Sequence, residues 1–484
     1  SYTDGNGNSF KFNYNARNEI TESIDPLGQK RVFEYNESGK PIRIVDYDGY
    51  EELLNYNELN KISKYVDKDG SETEFSYNKM WQIEKTVDPV GAKTIYTYNS
   101  EGNLVRTTDA TFASITYSYD ACGNIVKIRD QEGNVTKYTY DAMNRLIKST
   151  MHDGSTEHYE YDAFGNETKF VDALGGEWIS EYDAAGQKIK DIYPDGTETK
   201  YEYDLCGNLI EECHLGQSIK YSYDAAKRLA EIIESTGVKT KYSYDANGNI
   251  VMISKAGVEK TYEYDCLSRI TKELTAGNII ASYEYDGAGN IISITDGLGN
   301  KTRYVRSKAG YITSVIDPLG NVTRYRYDKA HRLMNIVQGE GNEADSIDIN
   351  RLNDIEEVMR LNRHKNSLRV ISYGRDILGR VISVTDALGN TERYEYDKRG
   401  FVSAKTDMDG NRMEISRTHF GDISHLAYSD NTRIEYKYDP LRRLKEIKDT
   451  LGITRIERDS LGREISITDH KGRNVSYSYD DLGN

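Results

Sequence analysis

The sequence is poor in proline, cysteine and tryptophan, with 6, 4 and 2 among its 484 residues. Four cysteines are too few to staple a chain this long, and Cys122, Cys206, Cys213 and Cys266 allow three pairings among which spacing does not choose. Cys122 and Cys206 each precede a Gly-Asn pair, in a slot held elsewhere by Phe164, Leu378 or Leu482, so they read as small apolar substitutes. No apolar run approaches the roughly 18 residues of a membrane-spanning helix, which excludes such a span. The opening Ser1-Tyr2-Thr3-Asp4 has neither a charged start nor an apolar stretch, so no signal peptide is expected. Basic residues are in the minority, 63 Lys and Arg against 79 Asp and Glu, for a net charge of −16. Nucleic acid is therefore not an expected partner, because a phosphate backbone needs a basic face. Apolar residues make up only 37%, too few for a thick buried core.

Signals for chemistry are also missing. The eight histidines (His152, His158, His214, His331, His364, His419, His425 and His470) show no metal-ligand spacing, and Cys213-His214 stands without partners. The acidic stretches Asp67-Lys68-Asp69-Gly70 and Asp407-Met408-Asp409-Gly410-Asn411 invite a calcium reading. An EF-hand loop, however, needs Gly at its sixth position and Glu at its twelfth. Those places hold Glu72 and Asn78 in the first case, Arg412 and Thr418 in the second. Turn capping accounts for these aspartates instead. No glycine-rich phosphate loop occurs, and no local arrangement of Ser, His and Asp suggests an activated nucleophile. No catalytic residue, metal or cofactor is assigned, and the chain is expected not to be an enzyme.

What is abundant is tyrosine, 40 residues against 9 Phe, together with 40 glycines. Packing demand alone would spread over all the aromatics, so the bias points to one copied motif. That motif reads x-Tyr-x-Tyr-Asp-x-x-Gly-Asn, followed by an aliphatic stretch and a second Asp-x-x-Gly-Asn. Its second tyrosine recurs every 21 residues at Tyr14, Tyr35, Tyr56, Tyr77, Tyr98, Tyr119, Tyr140, Tyr161, Tyr182 and Tyr203. The series continues through Tyr223, Tyr244, Tyr264, Tyr285, Arg306, Tyr327, Ile349, Arg375, Tyr396, Arg417, Tyr438, Arg458 and Tyr479, making 23 units that fill residues 1–484. The motif residues carried forward as structural are Tyr119, Asp120, Gly123 and Asn124; Tyr161, Asp162, Gly165 and Asn166; Tyr203, Asp204, Gly207 and Asn208; and Tyr244, Asp245, Gly248 and Asn249.

Both Asp-x-x-Gly sites are expected to be turns, the Asp capping the turn amides and the Gly accepting a positive φ. Between them, Tyr201-Glu202-Tyr203 and Tyr262-Glu263-Tyr264 alternate with the period of a half-buried strand. In the returning segment Ile125 and Val126 are adjacent, which leaves room for a bulge near the turn. Two strands per unit predict about 46 strands and no helix in the repeats, a sheet on the order of 220 Å wide. A sheet that wide is expected to coil into a spiral, as a tube or hollow shell. Alternation alone leaves open which way the tyrosines face. The step from Ile349 to Arg375 is 26 residues, so residues 349–375 are expected to hold an irregular repeat with a short insertion. Leu352, Ile355, Val358 and Met359 have helical spacing there.

The Tyr-Asp-x-x-Gly-Asn unit, as in Tyr119-Asp120-Ala121-Cys122-Gly123-Asn124 and Tyr161-Asp162-Ala163-Phe164-Gly165-Asn166, resembles the YD repeat of the Rhs family. Relatives there include bacterial Rhs and wall-associated polymorphic toxins, shell components of insecticidal toxin complexes, and animal teneurins. The resemblance covers the full length and implies an all-β spiral forming a hollow shell. In the bacterial members such a shell encloses a toxic domain carried at the C-terminal end; in teneurins a similar barrel supports cell-surface recognition. The core-terminating motif that serves self-cleavage in the bacterial members is missing, so that activity is not carried over. Because both ends fall inside repeats, the chain is expected to be a piece of something longer, with open strand edges prone to end-to-end association. The expected function is that of a structural shell segment of a secreted, bacterial polymorphic toxin, located outside the cell or at its wall. Its expected partners are a C-terminal toxin domain or other parts of the parent polypeptide. The alternative is a recognition module that binds glycan or a cell-surface protein through its tyrosines.

Overall fold

The computed structural model describes residues 1–339 and 369–480. Among these residues the chain is all-β, with 44 strands from β1 (Tyr2–Thr3) to β44 (Asn474–Ser476) and no helix. Each ladder joins a strand to its neighbour along the chain and is antiparallel, as for β12 (Ser114–Tyr119), β13 (Ile125–Arg129) and β14 (Val135–Tyr140). Every even-numbered strand from β2 (Ser9–Tyr14) to β42 (Ile453–Arg458) ends on the tyrosine slot of the repeat.

The motif accounts for this regularity locally. At the end of β12 the ladder pairs Ser118 with Lys127 but Tyr119 with Ile125, so Val126 is skipped. The same register shift recurs at Tyr140, Tyr161 and Tyr182. It is the bulge suggested by the adjacent apolar pair, and it turns the strand end into the tight connection that follows. After the bulge, the Asp120 amide donates to the Asn124 carbonyl and the Gly123 amide to the Asp120 carbonyl, with Gly123 at φ 88°. Gly165, at φ 96° in the equivalent turn, has open space around it, so only the backbone penalises a side chain there. Gly165→Ala is expected to destabilise by about 1–2 kcal/mol through left-handed strain alone. Urea unfolding of the variant checks this, with an unchanged midpoint as the contrary result.

Packing is thin, as the low apolar content requires. The only fully buried apolar side chains among the described residues are Val322, Val337, Val370 and Ala404. Many of the remaining aromatic and aliphatic residues are half-buried and support one another across strands, while turn-tip residues such as Phe164, Leu205 and Leu298 are exposed. Tyr159, Phe170 and Trp178 stand opposite each other on three successive strands, with ring centroids 5.2 and 5.4 Å apart.

The strands fall into two compact units. Unit 1 comprises residues 1–95, 109–111 and 239–391; unit 2 comprises residues 96–108, 112–238 and 392–484. In unit 1 an early run of strands (1–95) lies against a late run (239–391), joined by hydrogen bonds between residues about 240 apart, such as Asn6 to Asn247 and Gly287 to Asp48. Unit 2 repeats the arrangement within itself, with the Lys398 amide donating to Glu132.

The irregular repeat expected over residues 349–375 lies outside the described residues except for Arg369–Arg375, which is β34. β34 pairs directly with β33 (Leu333–Gly339), matching Asn335 with Ser372 and Val337 with Val370. Ile349, the anchor that spacing assigns there, lies outside the described residues.

Candidate functional site

The motif residues sit at two kinds of turn. An anchor turn follows each tyrosine slot, and a return turn closes the other end of the hairpin. In the anchor turns the aspartate is the organising atom set. Asp120 Oδ1 accepts from the Cys122 and Asn124 amides, and its Oδ2 accepts from Asn124 Nδ2 at 3.0 Å. Asp162 does the same with Phe164 and Asn166, and Asp204 with Cys206 and Asn208. Asp245 caps Asn247 and Asn249 and also accepts from Asn6 Nδ2 of the early run. Hydrogen bonds from the Asn side chain, then from the turn amides, hold the carboxyls of Asp120, Asp162 and Asp204 below their ordinary value. Gly123, Gly165, Gly207 and Gly248 all have φ between 86° and 96°. Where Arg replaces Asn, as at Arg145, Arg269 and Arg443, its Nε reaches the same Oδ2 at 2.7 Å.

The anchor tyrosine completes the unit. The Tyr119 hydroxyl donates to the Leu104 carbonyl at 2.7 Å, Tyr161 to Leu146 at 2.9 Å and Tyr203 to Lys188 at 2.8 Å. Each acceptor is the first residue of the preceding return strand, 15 residues back. Tyr244 ends β24 (Lys239–Tyr244) and pairs with Ile250 across the same bulge. Burial raises the phenols of Tyr119, Tyr161 and Tyr203. When arginine occupies the slot it makes the same stitch: Arg306 Nε donates to the Ile291 carbonyl, and Arg417 Nε to that of Val402. Arg375 Nε makes the same bond to the Leu333 carbonyl on the strand that pairs with its own. Sequence reading marked these arginines as substitutions. The shared carbonyl shows what Tyr and Arg have in common, a long side chain ending in a donor.

A second constellation, not foreseen from the sequence, joins the runs inside each unit. In unit 1, Asp48 accepts from the Gly287 and Ala288 amides, and Asp69 from the Ala309 amide and Ser307 Oγ. His331 Nε2 hydrogen-bonds Asp67 Oδ2, and its ring stacks on Tyr311 with centroids 4.2 Å apart. In unit 2, His419 Nε2 stands 3.7 Å from Asp153 Oδ2 beside the His152 ring, and burial lowers the His419 imidazole. Return-turn acids of the early run thus hold anchor turns of the late run. The Asp67 and Asp69 pair that invited a calcium reading is taken up by turn amides, Ser307 and His331.

A cavity of about 720 Å³ opens beside this contact in unit 1, lined by Asp69, Ser307, Tyr311, Tyr325 and His331 among others. Its serine and histidine are not set up as nucleophile and base, because Ser307 gives its proton to Asp69 while His331 engages Asp67. No group of three or more His, Cys, Asp or Glu among the described residues has the geometry to hold a metal ion. Cys122, Cys206, Cys213 and Cys266 are free thiols, the first two exposed on anchor-turn tips. No helix among the described residues is long and apolar enough to cross a membrane.

Comparison with known proteins places this geometry. The Teneurin YD-shell family matches residues 1–148, 54–223 and 214–345, and the RHS Repeat family matches residues 376–412 and 458–484. Among solved structures, TcdB2-TccC3 superposes with a TM-score of 0.68 at 14% identity, covering 98% of this chain and 32% of its own. TcdB2-TccC3 without its hypervariable C-terminal region gives 0.65 at 15%, again over 98% of this chain and 32% of that one. The Tc holotoxin pore of Photorhabdus luminescens gives 0.63 at 15%, over 98% and 31%. The chain therefore spans about a third of the length of the structures it matches. No curated protein sequence matches it. The repeat, the stitched turns and the family match together show that the chain belongs to the teneurin YD-shell family.

Proposed function

We propose that this chain is a wall segment of a toxin-type YD shell, a secreted structural element that surrounds and shields a domain encoded elsewhere in its parent polypeptide. The observation that carries this reading is that the motif spends its polar groups on itself. Anchor hydroxyls go to backbone carbonyls and turn carboxylates to turn amides, repeat after repeat. Such a sheet is built to be a wall, and its role is enclosure without chemistry of its own. A solved relative described without a hypervariable C-terminal region supports a cargo at that end. The alternative of a glycan or cell-surface binder needs free tyrosine hydroxyls, and the stitching of the anchor tyrosines weighs against it.

Limited proteolysis of the parent polypeptide tests the proposal. The non-repeat domain should survive a protease dose that digests the same domain expressed alone; equal rates of digestion would contradict enclosure. The purified chain should also keep its mass on standing. A discrete cleavage product would contradict the non-enzymatic role.

A further inference from the structure

The contact between the two runs of unit 2 brings a pair of histidines together. His152 belongs to the early return turn Met151-His152-Asp153-Gly154, and His419 to the late anchor turn Thr418-His419-Phe420-Gly421. Their ring centroids are 5.5 Å apart, with the planes tilted by 56°. A wall that only encloses has no use for either imidazole.

Each ring sits where a second proton is unwelcome. The Val135 amide donates to His152 Nδ1 at 3.3 Å, so that nitrogen presents its lone pair. A proton placed there would set two donors against each other and break the bond. His419 Nε2 is buried with no hydrogen-bond partner. Charging that ring would add the desolvation of a cation to an unmade bond, and would set two like charges side by side once His152 is charged as well.

The charged groups around the pair are mostly engaged elsewhere. In the same return turn, Asp153 Oδ1 accepts from the Ser155 amide and hydroxyl, and Asp153 Oδ2 stands 3.7 Å from His419 Nε2, beyond hydrogen-bond range. In the neighbouring return turn, Asp130 caps the Glu132 and Asn134 amides, and Glu132 accepts from the Lys398 amide. In the preceding anchor turn, Arg399 donates to the Thr418 and His419 carbonyls beside its own Asp397. Arg417 donates to the Gly421 carbonyl, while Arg442 lies over Phe420 and pairs with Asp422 at 2.7 Å. Burial lowers the His419 imidazole first; Asp153 and Asp422 oppose this, and His152 and Arg399 add to it.

We infer that His152 and His419 form an acid-sensitive latch, which lets the early and late runs of unit 2 part at these two turns between about pH 7.5 and 5.5 while the strands stay folded. An imidazole lowered by burial takes its proton more readily once the contact is open. The contact is therefore complete above the ordinary histidine value and is lost as pH falls below it. Unit 1 has the contrary arrangement. His331 Nε2 is bonded to Asp67 Oδ2 and its Nδ1 lies 3.7 Å from Asp69 Oδ2, so a proton gained there has a carboxylate on either side. The latch is a property of unit 2.

Hydrogen exchange of the whole chain, read by mass spectrometry at about pH 7.5, 6.5 and 5.5 and corrected for its intrinsic pH dependence, tests this. Peptides covering Val135, residues 151–155 and residues 418–422 should exchange roughly tenfold faster at the lowest pH, the change expected for one unit of histidine shift. Peptides covering residues 67–70 and 307–311 of unit 1 should keep their protection. His419→Gln, which has no proton to gain, should remove the response. His152→Asn should remove it too, while its side-chain oxygen still accepts from the Val135 amide. Circular dichroism at the highest pH checks that each variant is folded. Equal protection at both ends of the range overturns the proposal, as does a response that either folded variant keeps. Faster exchange in unit 1 over the same range would mark a general loosening and overturns it as well.

Discussion

Acidification from about pH 4 to pH 2 should unfold the chain steeply. The carboxyls of Asp120, Asp162, Asp204, Asp296, Asp317 and Asp407 all lie below their ordinary value of 3.8, chiefly through the hydrogen bond from the following Asn. Asp469, held first by the Arg473 amide, falls to about 2. A carboxyl with a lowered folded pKa binds its proton more readily in the unfolded chain. Its stabilisation is therefore complete above the unfolded value and is lost as pH falls through the folded one. In a single turn the effect is small because these groups face water. Here the same turn is copied along the whole array, so the losses share one pH window and add. Urea midpoints measured at pH 7, 4, 3 and 2 check this. A midpoint that does not move down to pH 2 would show that the carboxylates are not what hold the turns.

Substitution at the anchor slot should depend on donor reach as well as on similarity to tyrosine. Tyr285 donates to the Ile270 carbonyl at 2.7 Å, and the Arg269 guanidinium lies 4.7 Å from its ring centre. Tyr285→Phe keeps the ring but leaves that carbonyl without its donor, a loss of about 1 kcal/mol. Tyr285→Ala also removes a half-buried ring and should cost roughly 2–4 kcal/mol, somewhat under the range for a fully buried aromatic. Tyr285→Arg should be tolerated better than Tyr285→Ala, because Arg306 serves the next repeat by bonding the Ile291 carbonyl from the same position. Thermal unfolding of the three variants gives the order Arg, Phe, Ala or Phe, Arg, Ala. Arginine falling below alanine would contradict the shared stitch.

Much of this fold is legible in the sequence because its information is local. The 21-residue beat, the Asp-x-x-Gly turns and the Tyr-x-Tyr alternation each depend on residues within a few positions of one another, and the structure uses them that way. The bulge was visible in the adjacent Ile125 and Val126 for the same reason. What could not be read was distance. The partner of each anchor hydroxyl is a backbone carbonyl 14 or 15 residues away, and a carbonyl has no sequence signature. The acids joining the runs lie about 240 to 266 residues from their partners. Asp69 therefore reads in the sequence as part of a capped turn, and His331 and His419 as histidines without metal-ligand spacing. Asp48, Asp69, Glu132 and Asp153 do share a place in the sequence, directly before the turn glycine, where Leu298, Leu319 and Leu388 stand elsewhere. Alternation of acid and leucine at that one position was the available signal.

The central claim is that these repeats form a wall around something else. Cryo-electron microscopy of the parent polypeptide tests it most directly. The account predicts a wall traced by the antiparallel strands of residues 1–484, with density for a separate domain inside it. A map in which the repeats are traced as described but every other domain lies outside them would contradict it.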